Sequence, residues 1–187
     1  MSVPTIASLR IVLEDVRPRV LRRVEVPLSI PLDRLHLVIQ AAMGWDNSHL
    51  YEIVAGSLTW GFVDPDNEAS RLDAKKARLC DVIGYAKALN YLYDFGDGWD
   101  HTITVEDIID PACASLYPRL VEVEGRCPPE DVGGPGGYAR FREAIIDPFH
   151  RRHAEYKDWI GGDFDPDTVN SRRLTHNVRL LAERWSS

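Results

Sequence analysis

Cysteine is scarce: the 187 residues contain only Cys80, Cys113 and Cys127. They are odd in number and far apart, and no Cys-x-x-Cys spacing occurs, which argues against a thiolate zinc site or a redox dithiol and leaves reduced structural thiols. Long apolar runs are missing too. No stretch approaches the roughly 18 consecutive apolar residues that a membrane span needs. The amino end lacks a basic segment followed by an apolar one, so a soluble chain is expected, working in the cytoplasm with no membrane partner. The Gly-rich segment lacks the Lys-Ser/Thr ending of a phosphate loop, and no Gly-x-Gly-x-x-Gly follows a strand in a βαβ unit. No internal repeat or low-complexity tract appears. No cofactor is signalled.

What is present starts with charge. The net charge is −7, and it is unevenly spread. Residues 1–60 carry six basic and six acidic groups, 61–137 carry seven and fifteen, and 138–187 carry nine and eight. The acidity therefore sits in the middle. An acidic domain cannot draw on the counterion release that drives sequence-independent nucleic-acid binding, so nucleic acid is disfavoured as a partner. A protein or small-molecule partner fits better. A chain of this length fits one domain, able to bury roughly two-thirds of its unfolded surface.

Leu9 to Glu14 and Val20 to Val26 are β-branched runs on either side of Arg17-Pro18-Arg19, a hairpin pattern. Leu32, Leu35, Val38, Ile39, Ala42 and Met43 recur at three- and four-residue intervals and Gly44 stops the run, which predicts an amphipathic helix. His49 to Val54 and Ser57 to Phe62 enclose Ala55-Gly56 as a second hairpin. Asp64 to Lys76 is polar and without period, a loop pattern. Leu120 to Val123 is a further strand. Cys127 to Gly137 is so rich in Gly and Pro that a shaped loop is expected. Helices are expected around Tyr138 to Ile145, near Tyr156 and Trp159, and from Leu174 to Trp185.

The third hairpin carries the strongest local signal, Tyr93-Asp94-Phe95-Gly96-Asp97-Gly98-Trp99-Asp100-His101. Asp-Gly favours a two-residue turn in which both residues take positive φ. With Asp97-Gly98 as that turn, Asp94 stands opposite His101, Leu92 opposite Ile103 and Asn90 opposite Val105. Tyr91, Tyr93 and Phe95 then fall on the other face, so both faces are expected to be covered.

Five segments taken in order resemble the plasmid Ri ORF-three-like family: the opening strand pair, Gly44 to Leu50, Tyr93 to His101, Cys127 to Tyr138, and Trp159 to Pro166. The resemblance runs from about Leu9 to Leu181. It implies a passenger protein of insertion elements, some members of which bear a TnpR-like, resolvase-like name. In His49-Leu50-Tyr51-Glu52-Ile53, Tyr51 stands where the family pattern has histidine, so a histidine pair becomes His and Tyr. A serine recombinase needs a nucleophilic serine with supporting arginines and a separate helix-turn-helix, and a layout that opens on hairpins supplies neither. Recombination is not expected.

Asp94 and His101 have two readings. A carboxylate across from an imidazole prepares a general base, whereas an Asp beside an Asp-Gly turn more often serves the turn. His49, Glu130 and Asp131 are the other candidates for an acid/base site, and His49, His101 and Asp94 for a metal site. Against these stand a structural histidine and ordinary solvated loop acids. Asp163, Asp165 and Asp167 imitate the start of a calcium loop, but Thr168 and Leu174 occupy its required Gly and Glu places. Pro166 behind Asp165 reads instead as the start of a capped helix. The basic residues of the helical tail, from Arg140 to Arg179, read as a solvated face.

The expected fold is α+β: antiparallel hairpins forming a curved sheet or partial barrel, one helix packed on it, and a helical carboxyl-terminal section. A single domain over 1–187 divides at about residue 126 into a β-rich core and the Gly/Pro loop with its helices. The expected role is a non-enzymatic binding or accessory protein. The alternative is a metal-assisted or acid/base hydrolase-like enzyme using the His/Asp/Glu cluster.

Overall fold

The computed structural model describes residues 5–63, 71–85 and 88–186. Alternating burial produces the strands β1 (Ile6–Leu13), β2 (Val20–Pro27), β3 (Tyr51–Ala55), β4 (Leu58–Gly61), β5 (Leu72–Asp73), β6 (Ala88–Tyr93), β7 (Trp99–Ile109) and β8 (Arg119–Glu124). They make one open sheet in the order β5-β4-β3-β6-β7-β1-β2-β8. Every pairing is antiparallel except that of β4 with β5. Helix α1 (Leu32–Met43) follows β2, and its apolar stripe of Leu32, Leu35, Val38, Ile39, Ala42 and Met43 is buried. Gly44 closes it by donating to Gln40 O. The short α2 (Leu79–Val82) precedes β6, and α3 (Gly134–Ile146), α4 (His153–Ile160) and α5 (Ser171–Ser186) form the helical end. The protein is α+β, as the consecutive hairpins imply, and no helix among the described residues is long and apolar enough to cross a membrane.

Four details differ from expectation. Of the loop read over Asp64 to Lys76, residues 64–70 lie outside the described residues, and Leu72–Asp73 adds a short edge strand. The Gly/Pro segment is irregular only to Gly133: Gly134 to Gly137 form the first turn of α3, where Pro135 suits an early helical position that needs no N–H partner. Asp165 serves a turn instead of a helix, accepting from the Asp167 N–H at 2.9 Å, while Asn170 accepts from the Arg173 N–H at 3.0 Å where α5 begins.

The fourth concerns the third hairpin. Tyr93 pairs with Trp99, Tyr91 with His101 and Leu89 with Ile103, so the loop runs from Asp94 to Gly98. Asp94 takes the left-handed conformation at φ 57 and Gly98 does so at 69, while Asp97 does not, so the two-residue turn with two positive φ values never forms. The Gly98 N–H closes the longer loop on Asp94 O at 2.7 Å. The register moves by three, an odd number that changes which side chains share a face. Leu89, Tyr91, Tyr93, Trp99, His101 and Ile103 all turn into the core, while Asn90, Leu92, Asp100, Thr102 and Thr104 are half-buried on the other side. Asp94 is therefore not opposite His101.

Candidate functional site

The segment after α1 is held by aromatic packing and one tyrosine. The Trp45 indole N–H donates to Pro128 O at 2.9 Å, and its buried ring lies 5.1 Å from Tyr93 and edge-on to His101 at 5.5 Å. The Tyr93 hydroxyl accepts from the Ser48 N–H at 3.0 Å and the His49 N–H at 3.3 Å, and donates to Glu130 Oε1. Glu130 also accepts from the Asp46 N–H at 2.8 Å and the Ser48 hydroxyl at 3.3 Å. Burial, reinforced by this carboxylate, pushes the Tyr93 phenol up to about 12, which keeps it a donor. Three segments distant in sequence are thus tied at one point. Tyr93→Phe strands two backbone donors and leaves Glu130 Oε1 only the Ser48 hydroxyl, so urea unfolding is expected to register a loss of about 2 kcal/mol.

That clamp sets His49 beside Asp94 and Asp131. The His49 Nε2 lies 3.1 Å from Asp131 Oδ1 and 3.7 Å from Asp94 Oδ2. One donor atom from each residue falls within 4.8 Å of the others. The two aspartates are positioned by backbone geometry: both are left-handed, Asp94 at φ 57 and Asp131 at φ 59. Asp94 divides its oxygens, Oδ1 accepting from the Gly96 N–H at 2.9 Å while Oδ2 faces His49. Its turn role and its place in the cluster are therefore compatible. The His49 Nε2 is shielded from solvent yet makes no well-aligned hydrogen bond with either carboxylate. Beside His49 opens a cleft of about 390 Å³ that Asp33, His36, Tyr51 and Asp73 also line.

The remaining candidates are placed elsewhere. His101 is completely buried. Its Nδ1 approaches Trp99 O at 3.0 Å and Tyr91 O at 3.1 Å, so Nδ1 carries the hydrogen, and burial lowers the ring's pKa to about 4. Glu130 is engaged in the tyrosine clamp. Asp163, Asp165 and Asp167 pair separately with Lys157, Thr168 and Arg142 and share no centre. Within the basic tail, Arg142, Arg152, Lys157 and Arg179 are all ion-paired.

Two buried polar groups went unread in the sequence. His36 stacks on Tyr51 at 3.7 Å and sits in a relay in which Gln40 donates to the Tyr91 hydroxyl at 2.9 Å. That hydroxyl lies 2.8 Å from His36 Nδ1, and His36 Nε2 lies 2.6 Å from Asn47 Oδ1. This chain of contacts accommodates a neutral ring, and burial lowers its pKa to about 4. Arg22 is also fully buried, donating to Ala42 O at 2.8 Å and to Leu21 O and Glu124 O at 2.7 Å. Periodicity signals both: His36 falls on the apolar stripe of α1, and Arg22 is in phase with Val20, Val24 and Val26.

The molecule is thus an α+β protein with an open eight-stranded sheet and a His/Asp/Asp cluster at the turn end of its central hairpin. The model of the plasmid pRiA4b ORF-3-like proteins matches residues 5–173, and the chain belongs to that family. It is 46% identical over 187 residues to the uncharacterized protein y4hQ of Sinorhizobium fredii, covering 98% of this chain and 96% of that one. The crystal structure of a Methanosarcina mazei protein of unknown function has the same fold, with a TM-score of 0.83 at 28% identity over 92% of this chain and 97% of that one.

Proposed function

We propose that this is a binding domain that holds one divalent cation through His49, Asp94 and Asp131. The observation that carries this is the His49 Nε2, shielded from water and facing two carboxylate oxygens at 3.1 and 3.7 Å without an aligned hydrogen bond. Metal–ligand distances of about 2.0–2.2 Å put neighbouring donor atoms ~3.0–3.6 Å apart, so small movements of these side chains fit an ion. One imidazole with two carboxylates suits zinc or manganese. The cellular setting proposed with it, a cytoplasmic passenger of mobile elements, draws support from the plasmid origin in the family's description. A protein or small molecule reaching the ion through the adjoining cleft is the partner this reading favours.

The test is calorimetric titration of the chelator-stripped chain with Mn²⁺ and with Zn²⁺. One site is expected, weakened at least tenfold by Asp131→Asn, whose exposed side chain leaves folding intact. Stoichiometry well below one, or equal affinity in the variant, would overturn the assignment. A metal-assisted hydrolase is the second reading, because three protein ligands leave coordination positions open to water beside a cleft. It requires turnover of a chromogenic ester or phosphoester that appears with the metal and vanishes in Asp131→Asn.

A further inference from the structure

A cleft of about 700 Å³ whose lining includes none of His49, Asp94 and Asp131 brings together Gly44 to Asp46, Cys127 to Glu130 and Ile160 to Phe164. Three arginines line it: Arg22, Arg126 and Arg173. None forms an ion pair among the described residues, in a chain whose net charge is −7. Arg22 is the most telling. It is wholly buried, three of its N–H bonds reach backbone carbonyls, and its Nη2 has no partner. An uncompensated buried charge costs several kcal/mol, and carbonyl dipoles offset it only in part. The neighbouring Cys127 supplies no counter-charge, since burial pushes its thiol up to about 12. Arg126 is held flat on Phe164, its guanidinium 3.6 Å from the ring centre, with one nitrogen donating to Asp165 O at 2.9 Å. Of the acids on the wall, Asp163 is paired with Lys157 at 2.9 Å, whereas Glu130, bonded to the neutral donors Tyr93 and Ser48, and Asp46 keep their charge, so the three arginines outnumber the uncompensated carboxylates by one.

We infer that this cleft binds a small molecule through an oxyanion group, a phosphate or a carboxylate, contacted by Arg126 and Arg173 with the buried charge of Arg22 beneath. A planar fork pinned on an aromatic face is preorganised for such a group, because little side-chain freedom remains to be lost on binding. The volume is that of a ligand site.

The test uses the full chain stripped of metal by passage over a chelating resin and kept in a chelator-free chloride buffer, so that cation binding at His49 plays no part and the two assignments fail or stand separately. Inorganic phosphate and, in a second series, succinate are titrated at constant ionic strength while the Trp45 indole N–H resonance is followed. A saturable shift with either probe is expected, weakened at least tenfold in Arg173→Gln and further in Arg126→Gln/Arg173→Gln. A response to phosphate alone names phosphate esters as the ligand class, and to succinate alone carboxylates. No saturable shift beyond that of equal chloride, or the same affinity in Arg173→Gln, would overturn the site. The exposed Arg173 side chain keeps this decisive even where the double variant is poorly folded.

Discussion

Acidification from pH 6.5 to pH 5 is expected to remove about 2 kcal/mol of stability for each of His36 and His101. Both rings titrate near 6.5 when the chain is unfolded and near 4 when folded, and burial is the main cause in each. The sign follows from proton counting. Between those two values the unfolded chain binds protons that the native state refuses, so stability is fully present above 6.5 and is lost as pH falls towards 4. Structure gives the same direction for His101, where a proton on Nε2 would be buried without an acceptor. The carboxylates held below their usual range, Asp81, Glu155, Asp163 and Asp165, contribute stability that is lost only as pH falls through their ordinary values of 3.8 for Asp and 4.5 for Glu, so the interval from 5 to 6.5 isolates the histidines. Urea unfolding at pH 5 and pH 7 measures it. His36→Gln with His101→Asn keeps each ring's donor and removes its titration, so the double variant should be flat across that interval. A wild type equally stable at both pH values would contradict the assignment.

Most of the sheet and helices could be read from the sequence because burial writes period two and period 3.6 into the side chains. The β2 and α1 boundaries follow from Val20 to Val26 and from the stripe ending at Gly44. The hairpin at Tyr93 to His101 could not be read correctly, because its register depends on interactions outside it. Asp97-Gly98 reads locally as a two-residue turn, yet the Asp97 Oδ2 accepts from the Gly133 N–H at 3.1 Å, in a segment 36 residues away. That contact is tertiary and leaves no local trace.

The cluster was legible residue by residue but not as a set. His49, Asp94 and Asp131 were each visible as chemistry, whereas their convergence depends on the tyrosine clamp. His101 resembled a site residue because histidine beside aspartate reads as catalysis, and the three-residue change of register turns it inward. The polar residues in phase with apolar ones, Arg22 and His36, were the missed signal. A charge or imidazole on a core stripe marks a buried polar group that must find partners.

Gly134→Ala is expected to destabilise the protein by at least about 3 kcal/mol and to lower its melting temperature by roughly 10 °C. Gly134 sits at φ +67, and a Cβ there would lie 2.2 Å from Asp97 O, a backbone atom that cannot rotate away. Gly137→Ala meets the same fate, with its Cβ 2.0 Å from Val132 O. Gly134 presses the start of α3 against the central hairpin loop and Gly137 lets α3 pack on the preceding Val132 carbonyl, the segment that carries Asp131 to His49. Separating the two backbones should therefore weaken Mn²⁺ binding along with the fold. Gly136→Ala is the control. Its Cβ would meet only Arg140 Nη1 at 3.6 Å, an ordinary contact, and it lies within α3. Alanine there should be neutral or stabilising by up to about 1 kcal/mol, because it narrows the unfolded chain's freedom without strain. Thermal melts and Mn²⁺ titration of the three variants separate close approach from mere helix preference: equal melting temperatures for Gly134→Ala and Gly136→Ala would show that the loops are not held together at this point.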